Sequence, residues 1–378
     1  MLFRPEFIWK RSLNNYMSMS KSAAANGSRV VALDALRALA VLGVMLYHLG
    51  EFTPLFGALL PQLNWLPVIG NFGVDLFYVL SGYFIGNAVL RPAAWDPGHY
   101  VKQRLRRILP AYYVSLFVLG AGSLQHVQDL VNFLLHLTML HTFLPWSHGS
   151  INGVYWTLGV EFPFYLLMLA LAPFYRMENL RWKVCLTMIA VACLWRAGVF
   201  FSGEPSIWKR FFMASQLPGA LDAFGWGCLI AALLFSSRGA RLSKGYVAWG
   251  AVALGLGLTA ACLMYFARHV GDYWFDLVSV VFWRTGLTGG FCLILLGLAI
   301  GGNRPLLSRI VRYSGLSFIG KISFSVYLWH MPIMLVVRKY CAEQELDLIW
   351  FGIPAMVLAT LLVASASFYF VERRWHKF

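Results

Sequence analysis

Charged residues are scarce in this 378-residue chain, at 12% of the total, whereas soluble domains carry about 25%. Hydrophobic residues make up 59% and aromatic residues 16%, which excludes an ordinary soluble globular protein. The few charges are unbalanced, because 31 Lys and Arg accompany 16 Asp and Glu. This excess does not indicate nucleic-acid binding, because the basic residues lie between apolar segments, where they orient a membrane protein. The composition predicts an all-α polytopic membrane protein in a lipid bilayer.

The chain also lacks the patterns of several other protein classes. Its six cysteines have no spacing typical of a metal, redox or disulfide site. Its histidines also lack the spacing of metal ligands on one helix, so we expect no metal centre. No phosphate-binding loop, internal repeat or long polar stretch indicates a second, soluble domain. The first residues contain no hydrophobic run leading to a cleavage site. We therefore expect a cytoplasmic tail over 1–29, followed by one membrane domain over 30–375.

Eleven apolar stretches follow the tail. They cover 30–50, 68–90, 108–123, 130–144, 154–174, 183–202, 217–235, 246–266, 279–300, 322–338 and 348–371. The positive-inside rule then predicts ten spanning helices with both termini cytoplasmic, because 23 of the 31 Lys and Arg residues fall on one side. This count requires that 130–144 does not cross. That stretch is short and contains two histidines, which is typical of a re-entrant or interfacial segment. The alternative is eleven spans with the termini on opposite sides.

Two ionisable residues, Arg37 and His48, lie inside the first apolar stretch. An ionisable residue within a membrane span is expensive to bury, so it is a candidate for a functional site. Eleven residues make almost three helical turns, so both side chains lie on nearly one face, roughly 16 Å apart along the axis. One helix therefore carries a fixed cation and a titratable base at different depths.

Further polar residues fall at depths that the topology defines. Asp75 and Glu161 lie in the outer part of their spans, as His48 does, whereas His330 lies near the middle of its span. The basic cluster that contains Arg104 and Arg107 lies at the inner surface. We expect a polar column that runs from a basic cytoplasmic mouth to an acid–base cluster near the far face.

The carboxylates of this column also have structural interpretations. Asp34 and Arg37 are three residues apart and could neutralise each other. Asp75 could be a polar residue that packs helices together, and Glu161 could pair with an arginine of a later span. The charged residues of later spans, which we treat as structural, are Arg196, Asp222 and Arg284.

The basic residues have structural interpretations as well. Arg104 and Arg107 could do no more than orient the chain in the membrane. His330 lies two residues before Pro332, and could satisfy a backbone carbonyl that the proline leaves without its hydrogen bond.

Six stretches, in this order, resemble the motifs of acyltransferase family three, a family of integral membrane acyltransferases. They are LDALRALAVLGVMLYH (33–48), GVDLFYVLSGYFI (73–85), RLRRILPAYY (104–113), VYWTLGVEFPFY (154–165), FSVYLWHMPI (324–333) and VERRW (371–375). The family's opening motif, a basic residue, ten residues and a histidine, is matched by Arg37 and His48. Its paired arginines are matched by Arg104 and Arg107. The chain ends after the last apolar stretch, so it resembles members without an appended SGNH-type domain.

This resemblance implies the transfer of an acyl group, commonly acetyl from acetyl-CoA, to a hydroxyl of a carbohydrate or small molecule, in a bacterial inner membrane. Arg104 and Arg107 are then expected to hold CoA phosphates, since guanidinium binds phosphate bidentately. Arg37 is expected to carry a phosphate or to stabilise the thioester carbonyl. His48 is the expected general base, oriented by Asp75 or Glu161.

Two other classes of function remain open at the level of the sequence. A transporter or flippase would use the same polar column as a permeation path with a proton relay. A scaffold for polysaccharide assembly would need no catalysis. The sequence does not distinguish direct transfer from an acyl-enzyme, and it identifies neither the acceptor, the acyl chain nor the oligomeric state.

Overall fold

The computed structural model describes residues 31–58, 65–237, 239, 242, 245–301 and 305–375. All regular secondary structure in these ranges is helical. The helices are α1 Val31–Phe52, α2 Leu55–Ala58, α3 Leu66–Gly70, α4 Gly73–Leu90, α5 Pro97–Gly120, α6 Val127–Leu137, α7 Trp156–Arg176, α8 Glu178–Phe201, α9 Ile207–Ala214, α10 Leu217–Phe235, α11 Gly245–His269, α12 Val278–Gly301, α13 Pro305–Tyr313, α14 Leu316–Glu343 and α15 Leu348–Trp375. The tail expected over 1–29 lies outside the described residues.

Nine helical segments in the described ranges are long and apolar enough to cross a membrane. They are α1, the continuous pair α3–α4, α7, α8, α10, α11, α12, α14 and α15. The all-α polytopic membrane fold is therefore confirmed. Helix α5 is also long, at 24 residues, but its first half is basic and only its second half is apolar.

Helix α5 begins eleven residues before the apolar stretch predicted at 108–123. Its start is fixed by Asp96, whose carboxylate accepts the backbone N–H of His99 at 3.0 Å, and by Pro97 in the first turn. The basic cluster is therefore part of a regular helix and not of a loop before the apolar stretch. Arg104 and Arg107, three residues apart, lie on the same helix face.

The segment predicted not to cross the membrane forms the short helix α6. A single 3-10 turn at His141–Phe143 and otherwise irregular chain connect it to α7. Eleven residues of helix span about 16 Å, half of a hydrocarbon core of about 30 Å. The chain after α6 folds back on its neighbours. The rings of His136 and His141 stack with centroids 4.1 Å apart, and the Tyr112 hydroxyl donates to the His136 carbonyl at 2.9 Å. This geometry favours the re-entrant interpretation.

The centre of the bundle is built from α1, α4, α10 and α14, whereas α11 and α15 expose rows of leucines on the outside. Helices α4 and α10 approach closely because a glycine of each helix packs against the backbone of the other. A Cβ on Gly82 would lie 2.1 Å from the Phe224 carbonyl oxygen, and one on Gly227 would lie 2.1 Å from that of Val79. Small residues permit this contact in membrane proteins. The packing fixes the α4 face that lines the site.

Candidate active site

A cavity of about 400 Å³ lies between α1, α4, α5, α7 and α14. Its lining includes Arg37, Phe77, Tyr78, Ser81, Phe84, Gln103, Arg104, Arg106, Arg107, Thr157, Glu161, Tyr165, Ser323, Phe324, Tyr327 and Trp375. The volume falls within the range of about 300–1,000 Å³ typical of small-molecule sites. Among the described residues, neither His48 nor Asp75 lines it.

One end of the cavity is strongly basic. Arg104, Arg106 and Arg107 reach it from α5, and Arg37 reaches it from α1. The Arg37 guanidinium stacks on Phe84, 4.4 Å from the ring centroid. It also lies 3.7 Å from the Asp34 carboxylate, so the partial neutralisation considered from the sequence occurs without removing Arg37 from the cavity. Four guanidinium groups at one end of a cavity can bind an anion that carries several phosphates.

Glu161 lies in the cavity wall. Its Oε1 accepts hydrogen bonds from the Ser81 hydroxyl and from the Tyr165 hydroxyl, the latter at 2.7 Å. The pairing with Arg284 or Arg196 that the sequence left open does not occur, because both arginines bind other carboxylates. Glu161 therefore lies with the arginines of the cavity, in contact with two hydroxyl groups.

The opposite end of the cavity is closed by hydroxyl groups. The hydroxyls of Thr157 and Tyr327 lie 2.7 Å apart, and the Tyr78 hydroxyl donates to the Thr157 carbonyl at 3.4 Å. Thr157 and Tyr165 are eight residues apart on α7, which separates the two ends by about 12 Å. The cavity is thus an elongated space with cations at one end and hydroxyls at the other.

His48 lies beyond the hydroxyl end. Its ring is 5.3 Å from the ring of His330, which in turn is 5.8 Å from the ring of Tyr327. The Nδ1 atom of His48 lies 3.0 Å from Oε2 of Glu51, and Phe52 stacks on the ring at 5.7 Å. The order from the cavity outward is Tyr327, His330, His48 and Glu51.

The carboxylate that orients His48 differs from the expectation. In the described part of the chain, His48 Nδ1 binds Glu51, so the prediction that Asp75 or Glu161 holds this ring is wrong. The geometric reason is local, since Glu51 follows His48 by three residues on the same helix face. Asp75 instead binds the Arg284 Nε at 2.5 Å; the Asp75 side chain is buried and the Arg284 side chain is 15% exposed.

A second buried ion pair lies near this one. The Arg196 guanidinium donates to the Asp222 carboxylate at 2.8 Å, and the Thr285 hydroxyl donates to the same carboxylate oxygen at 2.6 Å. Both arginine pairs join helices across the bundle, which agrees with the structural role expected for Arg196, Asp222 and Arg284. Asp75 therefore belongs to the packing of α4 against α12.

Several site residues were not identified from the sequence. They are Glu51, Ser81, Thr157, Tyr165 and Tyr327. Spacing could have indicated three of them, because Glu51 lies three residues after His48, Tyr165 four after Glu161, and Tyr327 three before His330. Sequence spacing could not have indicated Ser81, because its partner Glu161 is 80 residues away along the chain.

The profile of the acyltransferase domain of acyltransferase family three matches residues 30–370, which is most of the chain and all of the lining helices except the last turn of α15. The chain belongs to acyltransferase family three. The resemblance to this family is thereby confirmed, with five of the six motifs inside the matched residues and VERRW (371–375) just beyond them.

Named relatives are similar in sequence. The peptidoglycan O-acetyltransferase OatA of Listeria monocytogenes is 28% identical over 385 aligned positions, covering 94% of this chain and 57% of the relative. The O-acetyltransferase OatA of Staphylococcus aureus is 25% identical over 370 positions, covering 90% of this chain and 56% of the relative. The chain thus spans a little more than half the length of the curated relatives it matches. No solved structure matches it significantly.

Proposed function

We propose that the protein transfers an acyl group, acetyl from acetyl-CoA, to a hydroxyl of a carbohydrate at the surface of a bacterial inner membrane. The single observation that carries this proposal is the elongated cavity, with four arginines at one end and the His330–His48 pair beyond the other. Acetyl-CoA has the same polarity, since its phosphates and its thioester lie at opposite ends of a long, narrow arm. The relatives named as O-acetyltransferases support this activity.

The basic end is the proposed phosphate site. Arg104 and Arg107 bind phosphate oxygens from one face of α5, and Arg37, stacked on Phe84, adds a third guanidinium. Acetyl-CoA is made in the cytoplasm, and the positive-inside rule places the same basic helix end there. The orientation with both termini cytoplasmic and the proposed donor site therefore agree with each other.

The hydroxyl end is the proposed place of the thioester. Tyr78 and Tyr327 are the aromatic hydroxyls at this end. Each donates its proton to a backbone carbonyl in this structure, and rotation about its C–O bond would turn that proton toward an oxygen that gains negative charge during attack. Glu161, with its Ser81 and Tyr165 partners, lies between the two ends, where a carboxylate can accept the amide N–H groups of the CoA arm. The arm would then lie along the face of α4 between Phe84 and Tyr78.

His48 is the proposed general base. Its Nδ1 faces the Glu51 carboxylate, which assigns the ring proton to Nδ1 and leaves the Nε2 lone pair to accept the proton of the acceptor hydroxyl. Base catalysis of this kind contributes about 10²–10⁴-fold to a rate. The acceptor itself is proposed at the level of a carbohydrate hydroxyl, because the peptidoglycan in one relative's name belongs to that relative.

The proposal is tested by donor binding to the purified protein in lipid nanodiscs. Arg104→Gln/Arg107→Gln should lower the affinity for acetyl-CoA at least tenfold, because charge-assisted hydrogen bonds contribute about 1.5–3 kcal/mol each. Acetyl-pantetheine, which lacks the nucleotide and its phosphates, should bind both proteins equally.

The matched control is Arg309→Gln/Arg312→Gln. It removes two arginines with the same spacing from α13, which do not line the cavity. Unchanged acetyl-CoA affinity in the α5 variant, or an equal loss in the α13 control, would overturn the donor site. Mass spectrometry of surface glycans from cells with and without the gene then identifies the acceptor.

A further inference from the structure

His330 is a fully buried histidine whose two ring nitrogens have different surroundings. Its Nδ1 lies 3.1 Å from the Val326 carbonyl oxygen and 2.8 Å from that of Tyr327. Both carbonyls belong to the preceding turn of α14, so Nδ1 carries the ring proton and donates it. The Nε2 atom lies on the other edge of the ring, pointing away from its own helix.

The sequence suggested that His330 could bind a backbone carbonyl that Pro332 leaves without a hydrogen bond. The structure shows that His330 does not have this role. Pro332 lacks an N–H, so the carbonyl it leaves without a partner is that of Leu328, four residues earlier. The Asn152 side chain donates to the Leu328 carbonyl at 2.9 Å. The proline is thus compensated by Asn152, and His330 is not needed there.

The Nε2 atom of His330 is buried and has no hydrogen-bond partner among the described residues. Burying a polar nitrogen without a hydrogen-bond partner lowers the stability of the fold. This cost suggests that the atom has a role other than packing. The nearest titratable ring is that of His48, at 5.3 Å. On its other side lies Tyr327, whose hydroxyl closes the donor cavity.

We propose that His330 is a proton carrier paired with His48, and that its Nε2 shares the proton removed from the acceptor. This inference rests on the acyl transfer proposed above. The acceptor oxygen attacks the thioester carbonyl carbon, a C–O bond forms, and the hydroxyl proton goes to His48 Nε2. The C–S bond then breaks with its electron pair on sulfur. The imidazole pair holds the proton until the departing thiolate takes it, which yields free CoA and leaves both rings neutral.

The surroundings favour a shared proton. Two backbone carbonyls face His330 Nδ1 and stabilise the positive charge when Nε2 is protonated. The titratable or charged groups around the pair in the described ranges are Tyr47, Glu51, Tyr327 and Arg338. Of these, Glu51 contacts His48, whereas Arg338 lies over the ring of Phe52, which itself stacks on His48.

The test uses His330→Asn. The Asn amide N–H₂ occupies the place of Nδ1 and keeps the donation to the backbone carbonyls, whereas the group corresponding to Nε2 is lost. The catalytic rate should fall by about 10²-fold, the low end of the contribution expected from proton transfer, while the affinity for acetyl-CoA stays within twofold. The acidic limb of the pH–rate profile should move to lower pH, because His48 no longer shares its proton.

The matched control is His136→Asn. His136 is equally buried, and its Nδ1 also lies close to the carbonyl four residues earlier, that of Asn132 at 2.9 Å. This control should leave the pH–rate profile unchanged. A normal rate and pH profile in His330→Asn would overturn the proton carrier, and so would an equal pH shift in both variants. His330→Gln, which cannot carry a proton but fills the Nε2 position, serves as the second variant if His330→Asn is not folded.

A measurement without turnover separates this inference from the proposed function. In protein labelled with ¹³C at histidine ring carbons, the His48 signal is identified by its loss in His48→Gln. Its titration midpoint should move when His330 is replaced and stay in place when His136 is replaced. A shift in a protein that transfers no acetyl would contradict the acyl transfer and support the pair. An unmoved midpoint in an active enzyme would contradict the pair alone.

Discussion

The hydroxyls of Thr157 and Tyr327 lie 2.7 Å apart and join α7 to α14 at the end of the cavity nearest the two histidines. Tyr327 also donates to the Val154 carbonyl at 3.1 Å. A single tyrosine therefore holds the closed end of the cavity and contacts the ring of His330.

Tyr327→Phe should lower the catalytic rate by about 10²-fold if the hydroxyl donates to the developing oxyanion, the loss typical of removing one such donor. The affinity for acetyl-CoA should change little, because the basic end of the cavity is untouched. Steady-state kinetics and donor binding check this. Tyr313→Phe, on an exposed surface, is the control, and a Tyr327→Phe enzyme with wild-type kinetics would contradict the role.

Glu51→Gln should reduce turnover by about tenfold, because His48 loses the carboxylate that orients its ring and stabilises its protonated form. His48→Ala sets the limit and should remove acyl transfer while the protein remains folded in the membrane. Glu343→Gln is the comparison, since it removes another exposed carboxylate, one that pairs with Lys339. Equal rates for Glu51→Gln and Glu343→Gln would show that Glu51 does not assist the base.

Asp75→Asn should destabilise the fold, because it leaves the Arg284 charge buried without its partner, at a cost of about 3–5 kcal/mol. The double variant Asp75→Leu/Arg284→Met should recover most of that loss, since apolar residues of similar volume replace a buried pair well. Thermal unfolding in detergent measures both. A catalytic Asp75 would instead give a stable Asp75→Asn protein with little activity.

The segment around α6 should have both of its ends on the outer side of the membrane. Single cysteines at Gln128 and Gly149, both exposed positions, should react with a membrane-impermeant reagent added from outside, in a background without native cysteines. A cysteine at Arg91 should react only from the cytoplasmic side. Labelling of only one of the first two positions would establish a crossing and eleven spans.

The membrane helices are predictable because hydrophobic length is a local property. Helix α10 has the predicted bounds, and α12 differs from its prediction by one residue at each end. Helix α5 is the exception, since its first half is polar, and it is ordered by a cap at Asp96 and by packing. The hydroxyl of Tyr100, for example, donates to the Tyr165 carbonyl at 3.1 Å. Hydropathy contains no information about such contacts.

The site was predicted in part. Depth along the membrane correctly grouped Arg37 with Arg104 and Arg107, because positions along parallel helices follow from residue counts. Depth in the membrane could not predict which side chains contact each other, because that also depends on which helices are neighbours. Asp75 and His48 lie at similar depth, yet Asp75 faces α12 and binds Arg284. Which helix lies beside which is set by packing, including the close approach of α4 and α10 at Gly82.

The contact between the Thr157 and Tyr327 hydroxyls also has a consequence for proton leakage across the membrane. In the proposed orientation the arginine end of the cavity faces the cytoplasm and the imidazole pair lies nearer the outer side, so water that joined these two regions would form a proton wire. Each proton crossing the membrane dissipates about 2.3 kcal/mol per 100 mV of membrane potential. Before an acceptor binds, the Thr157 and Tyr327 side chains, hydrogen-bonded to each other, lie between these two regions and interrupt a continuous path of water. The acceptor hydroxyl would have to displace this contact to reach the thioester, so the path would open only during transfer. A Tyr327→Ala protein in liposomes should collapse an imposed pH gradient faster than the wild type.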